Sequence, residues 1–212
     1  MTTGTRSTAP SGPDREAHVP PQVVATGTAT GLLLMAVFTL AWVGNTFAGF
    51  PAAVAWTLTA AAAAAAGCFV AQAVRLLAAR HRFPADLSAQ DQARRRRTGQ
   101  AFGLVFGAEG AAIGAAAAVL GSTGHDAFVV PVIALVVGLH FYPMARIFER
   151  RIDTYLATWT CLVALAGILA TATAALPAPR VQALVGVGTA LATTAYGAYM
   201  LRLGSGLLRR AR

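Results

Sequence analysis

Two residues in this chain sit where chemistry is expensive. Glu109 lies within an apolar run from Gly99 to Gly121, and His140 within a second from Phe128 to Phe148. They are the only acid and the only histidine well inside apolar sequence. An ionised carboxylate at mid-bilayer costs about 2.5–3.5 kcal/mol on insertion scales. Glu109 should therefore face protein or water and be protonated or paired. Glu109 stands ten residues beyond Gly99, and His140 eight residues before Phe148. At 1.5 Å per helical residue that is about 15 Å and about 12 Å from the same end. The depths match. The turn joining the two runs, Ser122-Thr123-Gly124-His125-Asp126, is short, so the runs are neighbours and a Glu109–His140 hydrogen bond or ion pair is open to them. Such a pair would respond to protons or bind a polar solute. The competing reading has each residue satisfied separately, by backbone carbonyls or hydroxyls, with a structural role only.

Pro143 adds to the interest in His140. It lacks an N–H and frees the carbonyl of Leu139, a kink that can open a small polar pocket beside the imidazole. Proline also serves packing alone in membrane helices. Other polar groups gather in the same half of the chain's spans: Gln100, Tyr142, Thr158, Trp159, Tyr196 and Tyr199. Of these Tyr142 and Tyr196 join Glu109 and His140 as candidate binding residues, and Thr193 with Tyr196, three apart on one helix, are placed to line a cavity. Tyr155 and Tyr199 suit an interfacial belt. Gln72 and Arg75 are expected to snorkel to the headgroups. Gly103, Gly107, Gly110 and Gly114 recur at spacings of four, three and four, one narrow stripe on a helix. Small stripes let helix backbones approach closely in lipid. Packing within the monomer is the first expectation for it, and a homodimer seam the second.

The segment Gly138-Leu139-His140-Phe141-Tyr142-Pro143-Met144-Ala145 resembles a Gly-x-His-x-x-Pro signature of uncharacterised bacterial multi-spanning membrane proteins. The resemblance covers about a dozen residues of one helix, with a similar hydropathy profile elsewhere. It implies a small bacterial integral membrane protein and no particular reaction.

The elements that must hold these residues follow from composition. The chain has 212 residues, 56% hydrophobic and 12% charged, with a mean hydropathy of +0.59. A soluble domain carries about 25% charged residues. Half that charge, clustered between long apolar runs, marks a polytopic membrane protein. Residues 1–22 read as a disordered tail, too polar to bury a face, and not as a signal peptide. Six spans follow, at about 23–46, 51–77, 99–121, 128–148, 153–176 and 181–201, then a basic tail over 202–212. An all-α bundle of six transmembrane helices is the expected fold. The loop 78–98 is expected to hold one short helix over 87–97, starting at Pro84-Ala85-Asp86. An inverted three-plus-three repeat is allowed by this topology, with no internal similarity to support it.

Charge placement orients the bundle. All 17 basic residues are arginine, and with six spans 16 of them fall on one side and Arg180 alone on the other. Both termini are thus expected in the cytoplasm and the protein in the inner (plasma) membrane. The net charge of +9 and pI of about 11.2 would suggest nucleic-acid binding in a soluble chain. Here the arginines serve topology, and no nucleic acid is expected. Arg94, Arg95, Arg96 and Arg97 anchor a span and offer contact to anionic lipid headgroups.

Cys68 and Cys161 fall inside apolar runs, as small core residues rather than a disulfide or metal pair. His18, His81 and His125 lie in the tail and loops, so no metal or other cofactor is expected. A small solute or ion transporter or permease-like protein is the leading expectation. The alternative is a non-catalytic structural or accessory membrane protein. An intramembrane enzyme acting on lipid or isoprenoid ranks third, for want of a second acid, a metal triad or an aspartate-rich motif.

Overall fold

The structure is a computed structural model that describes residues 20–85 and 89–211. Most of the expected tail 1–22, Asp86 and Leu87 of the expected helix start, and Arg212 lie outside the described residues. Helix α1 spans Gln22–Gly44, and a four-residue helix α2, Thr46–Gly49, closes that end. Asn45 breaks the run by bonding its Nδ2 back to the Trp42 carbonyl at 3.1 Å. Pro51 precedes α3, Ala52–Ala78. The remaining helices are α4, Ala89–Ser122; α5, Val129–Phe148; α6, Arg151–Ala172; and α7, Ala178–Arg210. No strand occurs among the described residues. Six helices are long and apolar enough to cross a bilayer, and the fold is an all-α bundle.

Two of the expected boundaries move. From Ala89 onward the expected short helix and the span over 99–121 are one helix, because nothing between Arg94 and Gly99 breaks it and arginine is a good helix former. Its 34 residues extend about 51 Å, well beyond the roughly 30 Å hydrocarbon core. The expected basic tail over 202–212 likewise belongs mostly to α7.

Helix α7 is the hub. It carries 14 buried residues and packs against α1, α2, α3, α5 and α6. Its glycines permit this. A Cβ on Gly197 would strike the ring of Phe69 on α3, and one on Gly204 would meet Leu76 at 2.9 Å. A Cβ on Gly186 would lie 2.7 Å from the Trp42 carbonyl oxygen. At 100° per residue Gly186, Gly197 and Gly204 share a face, while Gly188 lies opposite, against Val163 of α6. Thr39 and Thr193, both buried, bridge α1 and α7 by a hydroxyl–hydroxyl bond of 2.9 Å. Thr193 therefore fastens helices instead of lining a cavity. Gln72 is also buried, 3.4 Å from the Ser205 hydroxyl, and does not snorkel. Its amide finds a partner on α7, which headgroups need not supply.

Helix α4 is the opposite case. None of its residues is buried, and its packing neighbour among the spans is α5. Gly103, Gly107, Gly110 and Gly114 are exposed, and a Cβ added to any of them would meet nothing within 4 Å. The expected packing of this stripe inside the monomer does not occur. Helix α4 turns its bulkier Phe102, Ile113 and Glu109 side towards α5, and the glycines are left outside.

Candidate functional site

The polar cluster assembles from four helices and one turn. Glu109 comes from α4 and His140 from α5. The His140 Nδ1 lies 3.0 Å from the Glu109 Oε1, with the side chains 14% and 9% exposed. The contact is at charge-pair distance, and Nδ1 has no partner among the described residues in hydrogen-bond alignment. With the ring protonated the two form an ion pair; with it neutral, Nδ1 faces the carboxyl as donor or acceptor. Pairing satisfies the demand that an acid in hydrocarbon find company.

Helix α5 brings His140 here because it rides close to α6. A Cβ on Gly138 would sit 2.7 Å from the Cys161 Sγ and 2.9 Å from its backbone nitrogen, so the approach needs glycine. Pro131 falls in the first turn of α5, where its missing N–H would have no helical partner in any case. Pro143 lies within α5, and the helix continues through it to Phe148. The expected kink is not a break. The helix then closes on Glu149, whose φ of 54° is left-handed and strained for a residue with a side chain.

That sharp turn delivers Arg150 and Asp153. Asp153, in the first turn of α6, is fully buried, the one charged residue in the protein core among the described residues. Its polar neighbours are the Tyr196 hydroxyl of α7 and Arg150 of the turn, and it makes no ion pair within 4.0 Å among the described residues. Neither carboxylate oxygen has a partner in good hydrogen-bond alignment among the described residues. Arg150 donates from Nη1 to the Tyr196 hydroxyl at 3.4 Å and lies over the Phe148 ring, 5.1 Å from its centroid. The Phe141 ring connects the two halves, 4.3 Å from the His140 ring and 6.0 Å from that of Tyr196. Beyond the turn, Arg94 and Glu149 approach to 3.6 Å, both highly exposed, a contact of little energetic weight.

The expected residues thus divide. Glu109 and His140 come together, while Tyr196 lies beyond the Phe141 ring, against Arg150. Tyr142 does not join them: its hydroxyl lies 3.1 Å from that of Thr158 on the exposed side of α5 and α6. Two residues along a helix is a 200° turn, which takes Tyr142 away from His140. Gln100 is exposed on α4. Trp159 donates to the Gly188 carbonyl at 2.8 Å and ties α6 to α7. Asp153 and Arg150 were missed. An acid in a helix's first turn beside two arginines looks like an ordinary interfacial charge, and only the packing of α7 over it reveals a buried group. The Asp153-to-Tyr196 relation crosses helices that sequence does not pair.

Among the described residues no group of three or more His, Cys, Asp or Glu side chains is arranged to hold a metal. The chemistry on offer is proton transfer and polar binding. Comparison with protein-family models, with curated proteins and with solved structures returns no match, so any functional reading rests on this geometry.

Proposed function

We propose that this multi-pass membrane protein is a small solute or ion transporter, permease-like, in which Glu109 and His140 form a proton-responsive pair. The observation that carries the reading is the shielded 3.0 Å contact between an acid and an imidazole on neighbouring membrane helices. A protonatable pair at that depth is costly to keep for stability alone, and intramembrane acids and histidines are the usual parts of proton and ion paths. The arginine-rich end, which holds Arg94 to Arg97 and Arg150, faces the cytoplasm of the cell in this reading, with both termini on that side. The exposed Arg94–Arg97 run meets anionic headgroups there, each arginine contributing about 1 kcal/mol.

The test is proton or solute flux in liposomes holding the full chain. Flux that falls in Glu109→Gln and His140→Ala supports the reading; wild-type flux in both removes it. A second reading, a structural or accessory protein, is favoured by one observation: α4 buries no residue, so the pair is its main polar tie to α5. That reading expects both variants to melt earlier and neither to alter a pH-dependent signal.

A further inference from the structure

Helix α4 is fastened differently at its two ends. Beyond Ser122 it runs into a turn fixed by hydrogen bonds. The His125 backbone nitrogen donates to the Leu120 carbonyl and the Thr123 hydroxyl to the Val119 carbonyl, both at 2.8 Å. Towards the arginine-rich end it is tied to α5 and its turn by side chains, and none of its own residues is buried. Passing inward from that end, the first tie is the exposed Arg94–Glu149 contact at 3.6 Å. Next, the Phe102 ring meets that of Phe148, with centroids 6.1 Å apart and planes at 61°. Then comes Glu109–His140 at 3.0 Å. Phe102 precedes Glu109 by seven residues, so it shares that face of α4 and lies about 10 Å nearer the arginine-rich end. Ser122 lies thirteen residues the other way, about 20 Å. The short route from water to the pair therefore passes the two rings. Phe106 stacks on Phe102 at 5.6 Å, and the Arg150 guanidinium lies 5.1 Å from the centroid of the Phe148 ring. Rings set between a charged rim and an acid–imidazole pair form an apolar constriction, which gates by excluding water.

We propose that Phe102 and Phe148 are the gate through which water and the transported species reach Glu109 and His140 from the arginine-rich end, and that α4 opens it by swinging away from α5. The inference rests on the transport reading and deepens it by naming the entrance. The two rings have different roles. Phe148 is the fixed side: Arg150, lying over its ring, donates to the Tyr196 hydroxyl of the hub helix α7 at 3.4 Å. Arg150 is thus a positioning residue that keeps the Phe148 ring across the mouth. Phe102 is the moving side. The bonded turn, with Gly124 at a φ of 73°, holds the far end of α4 in place, so a swing is widest at the arginine-rich end. Because α4 buries no residue, the swing uncovers no core, and lipid refills the space it leaves. What must part is the Phe102–Phe148 contact and the two charged ties on either side of it.

The experiment uses the full chain in liposomes. Val105, half-buried between Phe102 and Glu109 along α4, is made the single thiol by Val105→Cys with Cys68→Ala and Cys161→Ala. Its labelling by a charged, membrane-impermeant maleimide reports water behind the gate. Phe102→Ala and Phe148→Ala are each expected to speed labelling at least tenfold. Leu104→Ala, a truncation at a position 76% exposed, is expected to leave it unchanged. Labelling at the parent rate in both phenylalanine variants overturns the proposal. Equal acceleration by Leu104→Ala also overturns it, since that reports a general loosening of α4. Proton flux in the same liposomes, read with a trapped pH dye, separates the gate from the transport reading. Flux altered at least threefold in Phe102→Ala, and lost when Glu109→Gln is added, supports both. Wild-type flux in Phe102→Ala despite faster labelling overturns the entrance and leaves the transport reading standing. Should neither the wild type nor Phe102→Ala carry flux, the transport reading fails and labelling alone decides the gate. Should an alanine variant fail to fold, Phe102→Val or Phe148→Val takes its place, with the same outcomes deciding.

Discussion

Gly138→Ala tests the spacing between α5, which carries His140, and α6. The added methyl would lie 2.7 Å from the Cys161 Sγ and 2.9 Å from the Cys161 backbone nitrogen, with the Cys161 Cα at 3.3 Å. Ordinary contacts of this kind sit near 3.5–4.0 Å, so α5 and α6 must part by about 1 Å. Overpacking of this size costs about 1–3 kcal/mol, or roughly 5- to 150-fold in the folding equilibrium. The thiol can rotate away, whereas the backbone nitrogen cannot. Cys161→Ala should therefore recover less than half of the loss when combined with Gly138→Ala. Unfolding in mixed micelles by titration with a denaturing detergent measures both. Because α5 also carries His140, the same spreading should disturb its 3.0 Å contact with Glu109. A Gly138→Ala protein as stable as wild type would refute the claim that glycine sets the spacing of these helices.

The Thr39–Thr193 bridge offers a second check: Thr193→Val strands the buried Thr39 hydroxyl and should cost about 1 kcal/mol, whereas Thr39→Val should cost less, because the Thr193 hydroxyl keeps its bond to the Ala190 carbonyl at 3.0 Å. On α4, Gly107→Leu and Gly110→Leu should change micellar stability by less than about 0.5 kcal/mol, because both positions are open. A larger loss in the same unfolding titration would show that a second copy of the chain covers this face.

The six spans were legible because hydrocarbon imposes one strong rule, a run of about 20 apolar residues, and the chain obeys it six times. The Glu109–His140 meeting was legible from depth, since a short turn leaves two antiparallel helices little freedom. Faces were another matter. Gly103 to Gly114 has the spacing of a packing stripe, yet spacing identifies a face and not its neighbour. Three glycines that pack on one face of α7, Gly186, Gly197 and Gly204, are eleven and seven apart and form no short motif. Asp153 escaped notice because burial is a property of the surrounding helices, and the helix over it, α7, comes some 40 residues later in the chain. Tyr142, grouped with the site because it lies in the same half of the spans, turns instead to Thr158 on the exposed side of its helix.

The hub position of α7 bears on biosynthesis. The ribosome makes α7 after the five other spans, so α1, α3, α5 and α6 must enter the membrane before the helix they lean on exists. Until then the grooves that receive Gly197 and Gly204 stay filled by lipid or by an insertase. Assembly of this bundle is therefore a late, concerted event, and nascent chains stalled ahead of Ala178 should be substrates for membrane proteases.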